Sequence, residues 1–558
     1  MAEQKKEKKK LFTIRLILKW IGLAALSFLV VLALIFQAPW KLITLLLIIL
    51  AACTVLPKTY RKWFWLSVAA IVLVMIIWVF LPEDNEGWRP YTFDDEFAAL
   101  EAKYAIPDSE NAAKMYIALH EDYDPNTMHP DSSDPNIVIL TRREPWSSRD
   151  YPELAKWLED QQNTIEKLIE ASRIKNCRFP IVANIVDMIK QVFRFTAMRH
   201  WASLLVRAGN NDMAEGRIEE GLEKFLCVKR IGDHMQQQSS MIAIMSGIAV
   251  EDLALGPCKA FIVTADATEA HLSVIEKALA DVKHDWTTDW PRILDYEKII
   301  LKNEFARYYD VNPRGKIRLS RDPSAEMRAW WMEQLEPEQN ENQQIREYLE
   351  SRLYLKYWQK KLIKARTILY WFCIPSSPQG AFKLIDTCFE KYYTMAEPEF
   401  DWQKESKKFS LTSPFSIFAG FNYYRLIEPF AYMSEELYYG FHDIYFRNTA
   451  EIQGVRIIIA LRRYKNKTGD WPESLDDIKS LSPAEIFVDP INGDSFFYKL
   501  TEENFTLYSK GKNNIDEGGK HDKESGADDW LIWPPKTRKN KNEKADAQQS
   551  NVEKDGVK

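Results

Sequence analysis

The alternation of apolar and polar positions divides the chain into four stretches. The first, residues 1–82, holds three apolar runs at 21–36, 42–56 and 63–81, separated by polar or basic breaks. From 83 to 448, apolar residues recur every three or four positions, the period of a helix buried along one face. Between 449 and 535 one helical run is followed by short strand-like pieces at 485–488, 495–499, 504–509 and 530–533, set apart by Pro, Asn, Asp and Gly. The last stretch, 536–558, has no apolar face and is predicted to be disordered. The expectation is a mainly α protein. It has three N-terminal transmembrane helices, a large helical domain of irregular, solenoid-like character, and a small C-terminal α+β module.

A membrane helix needs about 20 residues to cross about 30 Å of hydrocarbon. The run at 63–81 meets this. The run at 21–36 meets it together with its basic lead-in, 11–20, if Arg15 and Lys19 snorkel to the interface. The run at 42–56 is short and requires Trp40 and Tyr60 at the two interfaces. "MAEQKKEKKK" and "KTYRK" (58–62) are basic, whereas "PEDNEGW" after the third run is acidic. The positive-inside rule then places the N-terminus and 58–62 in the cytoplasm, with everything after residue 81 outside. If the second run did not cross, the bulk would return to the cytoplasm and 58–62 would lie on the wrong side. No small-residue site for signal-peptide cleavage stands out. Insertion in the cytoplasmic (inner) membrane, with most of the chain extracytoplasmic, is the resulting expectation.

In the helical middle, Ser109 is placed to cap a helix through "ENAAKMYIALHEDY". Leu154, Trp157, Leu158, Ile165 and Leu168 share one face, and Phe193, Ala197, Trp201, Leu204 and Ala208 form a second stripe. "GNND" (209–212) reads as a helix end followed by a new cap, after which Ile218, Leu222 and Phe225 point inward. The hairpin 193–235 loosely resembles a tetratricopeptide unit, with Ala214 and Gly221 as small packing residues, but no fixed-period repeat of it occurs. Further breaks are expected at 311–316, 374–380 and 411–416. The ring-rich stretch 415–446 is expected to be core, because aromatic side chains dominate burial energetics.

A net charge of −6 over 558 residues argues against a nucleic-acid partner. No CxxC is present. Cys53 lies in an apolar run, and the five other cysteines are widely spaced, reading as buried thiols or, in an oxidising compartment, as a Cys373–Cys388 bridge. The chain lacks GxSxG, GxxxxGK[ST], GxGxxG and HExxH. In "HEDYDPNTMH", His120 and Asp124 are one helical turn apart and could share a metal or a proton, with Glu121 and His129 nearby; solvated residues at a helix end are the alternative. Asp94–Asp95 and Asp476–Asp477 read as caps or solvated faces. No pair of carboxylates is singled out for glycosidase-like chemistry.

The C-terminal stretch carries the most specific pattern. "ALRRYKNKTGDWPESL", then Asp489–Pro490, then "LYSKG" (507–511), Gly518–Gly519 and Asp528–Asp529 follow in an order that resembles the soluble part of the major pseudopilins of type II secretion. The resemblance covers 449–535 only. In that family the loop after L-Y-S wraps a calcium ion, so the resemblance implies a calcium site here, with Ser509, Asn513, Asp516, Asp528 and Asp529 as ligands. Calcium takes six to eight hard oxygens from carboxylates and carbonyls, and Gly511, Gly518 and Gly519 allow the backbone to bend toward one. The expected function is a membrane-anchored extracytoplasmic scaffold or binding component of an envelope or secretion-type assembly, partnered by the membrane and other envelope proteins. The alternative is an extracytoplasmic enzyme acting on cell-wall or glycan material. In a third reading the end module is only a stabilising appendage.

Overall fold

The computed structural model describes residues 87–319, 378–400 and 423–535, together with Leu66 and Ala70, and apart from 129, 131–134, 182–184, 281–283, 307–308, 398–399, 503 and 523–525. The three expected membrane spans, apart from Leu66 and Ala70 of the third, the expected tail and the break at 411–416 lie outside the described residues. So do Cys373 and His129.

After strand β1 (Arg89–Pro90) come helices α1 (Asp94–Tyr104), α2 (Ala113–Glu121), α3 (Pro135–Arg143), α4 (Pro152–Asp160) and α5 (Gln162–Arg173). Then follow α6 (Ile185–Ala214), α7 (Ile218–Gln236), α8 (Met241–Thr264), α9 (Glu269–Ala280) and α10 (Trp286–Ala306). Strands β2 (Tyr309–Val311) and β3 (Ile317–Leu319) precede α11 (Gln379–Tyr393) and α12 (Tyr423–Thr468). The chain closes with β4 (Phe497–Leu500), β5 (Phe505–Ser509), β6 (His521–Asp522), β7 (Ala527–Asp528) and β8 (Trp530–Trp533). The described protein is therefore mainly helical, with small antiparallel sheets.

The chain forms two units. The first comprises Met1–Ala105, Pro180–Phe193 and Trp286–Tyr439. Its described core packs Phe93, Phe97 and Leu100 against Tyr296 and Ala306. Trp286 and Trp290, one turn apart on α10, stack with ring centroids 4.8 Å apart, and their indole N–H groups donate to the carbonyls of Met395 and Tyr392. Tyr438 sits edge-on to Trp290 and is buried, so this part of the ring-rich stretch is core. A three-stranded antiparallel sheet, β1-β2-β3, pairs Pro90 with Asp310 and Asp310 with Arg318.

The second unit comprises Ile106–Phe179, Arg194–Asp285 and Gly440–Lys558. A single buried cluster runs through it, from Ala112 and Leu168 through Phe225 and Ile262 to Val455, Phe505 and Ile532. Residues 449–535 thus share a core with the helices before them, and α12 passes through position 449 without a break. Gly454 makes this closeness possible: a Cβ there would lie 2.6 Å from the Ile532 side chain. Lys259 of α8 ties the same elements together. Its ammonium donates to the Glu451 carboxylate and to the Ile532 carbonyl, and the Trp530 indole donates to Glu451 Oε2 at 3.0 Å.

Where α7 crosses α8, backbone meets backbone. A Cβ on Gly247 would lie 2.6 Å from the Gly232 carbonyl oxygen, and one on Gly232 would lie 2.9 Å from Glu251. Beside this crossing sits an ionic cluster. Lys229, Asp233 and Glu251 are each at most 3% exposed. Lys229 Nζ is 2.6 Å from Asp233 and 3.8 Å from Glu251, while Gln236 and Asn448 donate to Glu251 Oε2 at 2.9 and 2.8 Å. Burial, and then the Asp233 carboxylate, hold Glu251 above the usual carboxylate range. Among the described residues α8 is the helix long and apolar enough to cross a membrane, but it carries Glu251 and Lys259 into this core.

Several local expectations change in three dimensions. "GNND" lies inside α6 rather than at a turn. Gly209 is pressed against the Phe225 ring and Gly221, Asn210 donates to the Thr141 carbonyl, and Asn211 donates to Trp146 and Ser148. Asp212 accepts from Arg217 and Lys224, and the turn falls at Gly216, with φ +79°. Asn111, not Ser109, opens α2, accepting from the Ala113 N–H at 3.0 Å. The face predicted over 154–168 is real but breaks at Gln161 between α4 and α5. Residues 484–487 form a 3₁₀ turn, with Val488 making one bridge to Ser495 instead of a strand. The Asp476–Asp477 pair behaves as expected of a cap: Asp477 and Ser474 form a reciprocal capping box.

Candidate functional site

β5 is the middle strand of the sheet β4-β5-β8, and Ser509 pairs with Trp530. The loop 510–529 therefore leaves and rejoins adjacent positions of one sheet. The described part of this loop, 510–522 and 526–529, folds on its own aspartates. Asp528 Oδ2 accepts from the backbone N–H groups of Lys512 and Asn513 at 2.8 and 3.3 Å. Asp529 Oδ2 accepts from those of Glu517 and Gly519 at 2.9 and 2.8 Å. The second oxygen of each, Asp528 Oδ1 and Asp529 Oδ1, is buried with no hydrogen-bond partner. Buried polar atoms are nearly always paired, so two adjacent orphans call for a proton, a water or an ion. Gly511, at φ +65°, admits this arrangement, since a Cβ there would collide with the Asp528 carboxylate and carbonyl.

Sequence reasoning missed Glu517. Its carboxylate lies against that of Asp529, accepts from Asn513 Nδ2 at 2.6 Å, and faces the Asp528 N–H. Burial, joined by the Glu517 carboxylate, pushes Asp529 up to about 6. The signal available was its place between Asp516 and the Gly518–Gly519 pair, which turns the chain back toward 528–529.

The other expected ligands are engaged elsewhere. Ser509 Oγ is buried, accepts from the Gly511 N–H at 3.0 Å and bonds to the fully buried Asp489. Asn513 Oδ1 accepts from the Ile515 N–H at 2.6 Å. Asp516 Oδ1 accepts from the Tyr508 hydroxyl at 2.5 Å and the Gly518 N–H at 2.9 Å. The fit to a hard cation is thus partial: Asp528, Asp529 and Glu517 supply charge and two free oxygens. Among the described residues no three His, Cys, Asp or Glu side chains are spaced to hold a metal in this conformation.

The His120 motif resolves differently. The imidazole stacks on Tyr123 at 5.6 Å, and the Tyr123 hydroxyl bonds to His200 Nδ1 at 2.5 Å. Asp124 instead caps the next turn, accepting from the Asn126 N–H.

One open groove of about 1250 Å³ lies between α3 and α4. Its floor includes Ile137, Val138 and Leu154, and Tyr151 and Trp157 flank it. The Trp157 indole is fixed by a 2.9 Å bond to the Thr127 carbonyl. Asp150, Glu153 and Asp160 stand exposed on the rim beside Lys156.

No protein-family model, no curated protein and no solved structure matches the chain.

Proposed function

We propose that the protein is a membrane-anchored extracytoplasmic scaffold or binding component of an envelope assembly, with a C-terminal pseudopilin-like loop that takes a calcium ion. The anchor and orientation rest on the three apolar runs and the basic 58–62 loop. The observation that carries the calcium reading is the pair of orphaned oxygens at Asp528 and Asp529, crowded by Glu517. These three residues would hold the ion, and the ion would supply the positive charge that the carboxylates lack. Gentle solubilisation and affinity purification test the assembly role. Repeated recovery of the same envelope proteins is the expected result, and recovery of the protein alone overturns the reading.

Calcium and pH should act on the loop in opposite senses. Without calcium, Asp529 titrates near 6 when folded and near 3.8 when unfolded. The stability this shift contributes is fully present below pH 3.8 and is lost as pH rises through about 6. Calcium then restores it at pH 7.5 by about 1–3 kcal/mol at tens of Kd, and does less at pH 5. Melting curves with calcium or chelator read this out. A calcium shift that persists in Asp529→Asn, or no shift at all, removes the site.

The groove favours a second reading, an enzyme acting on glycans, because it sets carboxylates beside Tyr151 and Trp157. Against it, all three carboxylates are exposed. A glycosidic general acid is held in an apolar pocket.

A further inference from the structure

We propose that the α3–α4 groove docks a cationic, apolar-flanked stretch of another polypeptide. The proposal goes beyond the reading above and uses neither the C-terminal loop nor the anchor. Size is the first argument. At about 1250 Å³ the groove exceeds the roughly 300–1,000 Å³ of small-molecule pockets and is partly open to solvent, which leaves room for an extended chain. Charge is the second. The rim carries three carboxylates, Asp150, Glu153 and Asp160, against one ammonium, Lys156. Among the described residues none of these four side chains has a hydrogen-bond or ion-pair partner, so the charged side chains of the lining sum to a net negative charge. Complementary charge steers and orients a partner more than it adds raw affinity.

The floor supplies the rest. Ile137, Val138 and Leu154 offer aliphatic surface, set among the polar side chains of Asn126, Thr127, Thr141 and Gln161. On α3 the same run continues with Ile139 and Leu140, which are 43% and 39% exposed. Four consecutive aliphatic residues on a nine-residue helix cannot all face inward, and here two remain in solvent. An extended peptide can place leucine-like side chains on this floor and lysines or arginines at the rim. The chain's own segment 536–558 is basic but lacks an apolar run.

The test uses full-length protein in phosphatidylcholine nanodiscs, with empty discs subtracted. Its probe is a fluorescein-labelled ten-residue peptide of alternating lysine and leucine, read by anisotropy at physiological salt. Binding is expected for this peptide and not for its glutamate–leucine counterpart. The triple variant Asp150→Asn, Glu153→Gln, Asp160→Asn should weaken it at least tenfold. A charge-matched control, Asp470→Asn, Glu473→Gln, Glu485→Gln, should leave it within twofold. Equal loss in both variants, or no loss in the first, overturns the proposal. So does binding of a neutral N-acetylglucosamine hexasaccharide in place of the peptide, or peptide binding that appears only after residues 536–558 are removed.

Discussion

Lys229→Ala lowers the unfolding free energy by about 3–5 kcal/mol, the usual cost of leaving a buried charge without its partner. The cause is the number of groups that share this ammonium. Asp233 lies on the same helix one turn away at 2.6 Å, and Glu251 reaches in from α8 at 3.8 Å. His284 Nε2 stands 3.5 Å from Asp233 Oδ1. With the lysine gone, two carboxylates remain at a helix crossing too close-packed to admit a Cβ at Gly232 or Gly247, so relaxation toward water is blocked. Adding Glu251→Gln to the variant should recover part of the loss, because it removes one of the two stranded charges and keeps an acceptor for Gln236 and Asn448. Denaturant midpoints of the single and double variants decide this. Equal stability of Lys229→Ala and wild type would show that the cluster is not sealed from solvent.

The second large effect depends on pH. His234 Nε2 donates to the Ile174 carbonyl at 2.7 Å, and its Nδ1 accepts from the buried Tyr116 hydroxyl at 2.9 Å. Burial pushes this imidazole down to about 4 from its ordinary 6.5. Above pH 6.5 the ring is neutral in both the folded and the unfolded chain. Between about 6.5 and about 4 the unfolded chain takes the proton and the folded one does not. Stability therefore falls as pH falls across that window, by about 3 kcal/mol in all. Glu251 and Asp489, both raised by burial, work in the opposite sense. The histidine is isolated by comparing wild type with His234→Gln: the stability difference between them should shrink as pH drops from 7 to 4. A difference that stays constant with pH would mean that His234 takes up its proton as readily in the fold as in the unfolded chain.

Much of the architecture is legible in one dimension because periodic burial is a local property. Leu154, Leu158, Ile165 and Leu168 announce their helices, and Phe505 and Leu507 announce a strand buried on one face. The glycines and aspartates of 511–529 likewise announce a turning, acidic loop. What spacing cannot report is the partner of a polar side chain. Asn210 and Asn211 look like a turn but serve carbonyls 65 or more positions away, at Thr141 in α3 and at Trp146 just after it. Asn513 and Asp516 look like ligands yet close the loop on itself, while Glu517, unremarkable in sequence, is brought against Asp529.

By itself, the sequence determined that the protein is mainly helical, that strands fall within 495–509 and at 530–533, and that an acidic glycine-rich loop joins two of those strands. Tertiary structure alone decided that residues 449–535 share a core with the preceding helices, which carboxylate oxygens are left unpaired, and that Lys229 and His234 are sealed from water. The reason is range. Periodicity is set within a few residues, whereas desolvation and hydrogen-bond pairing depend on groups that the chain brings together from far apart.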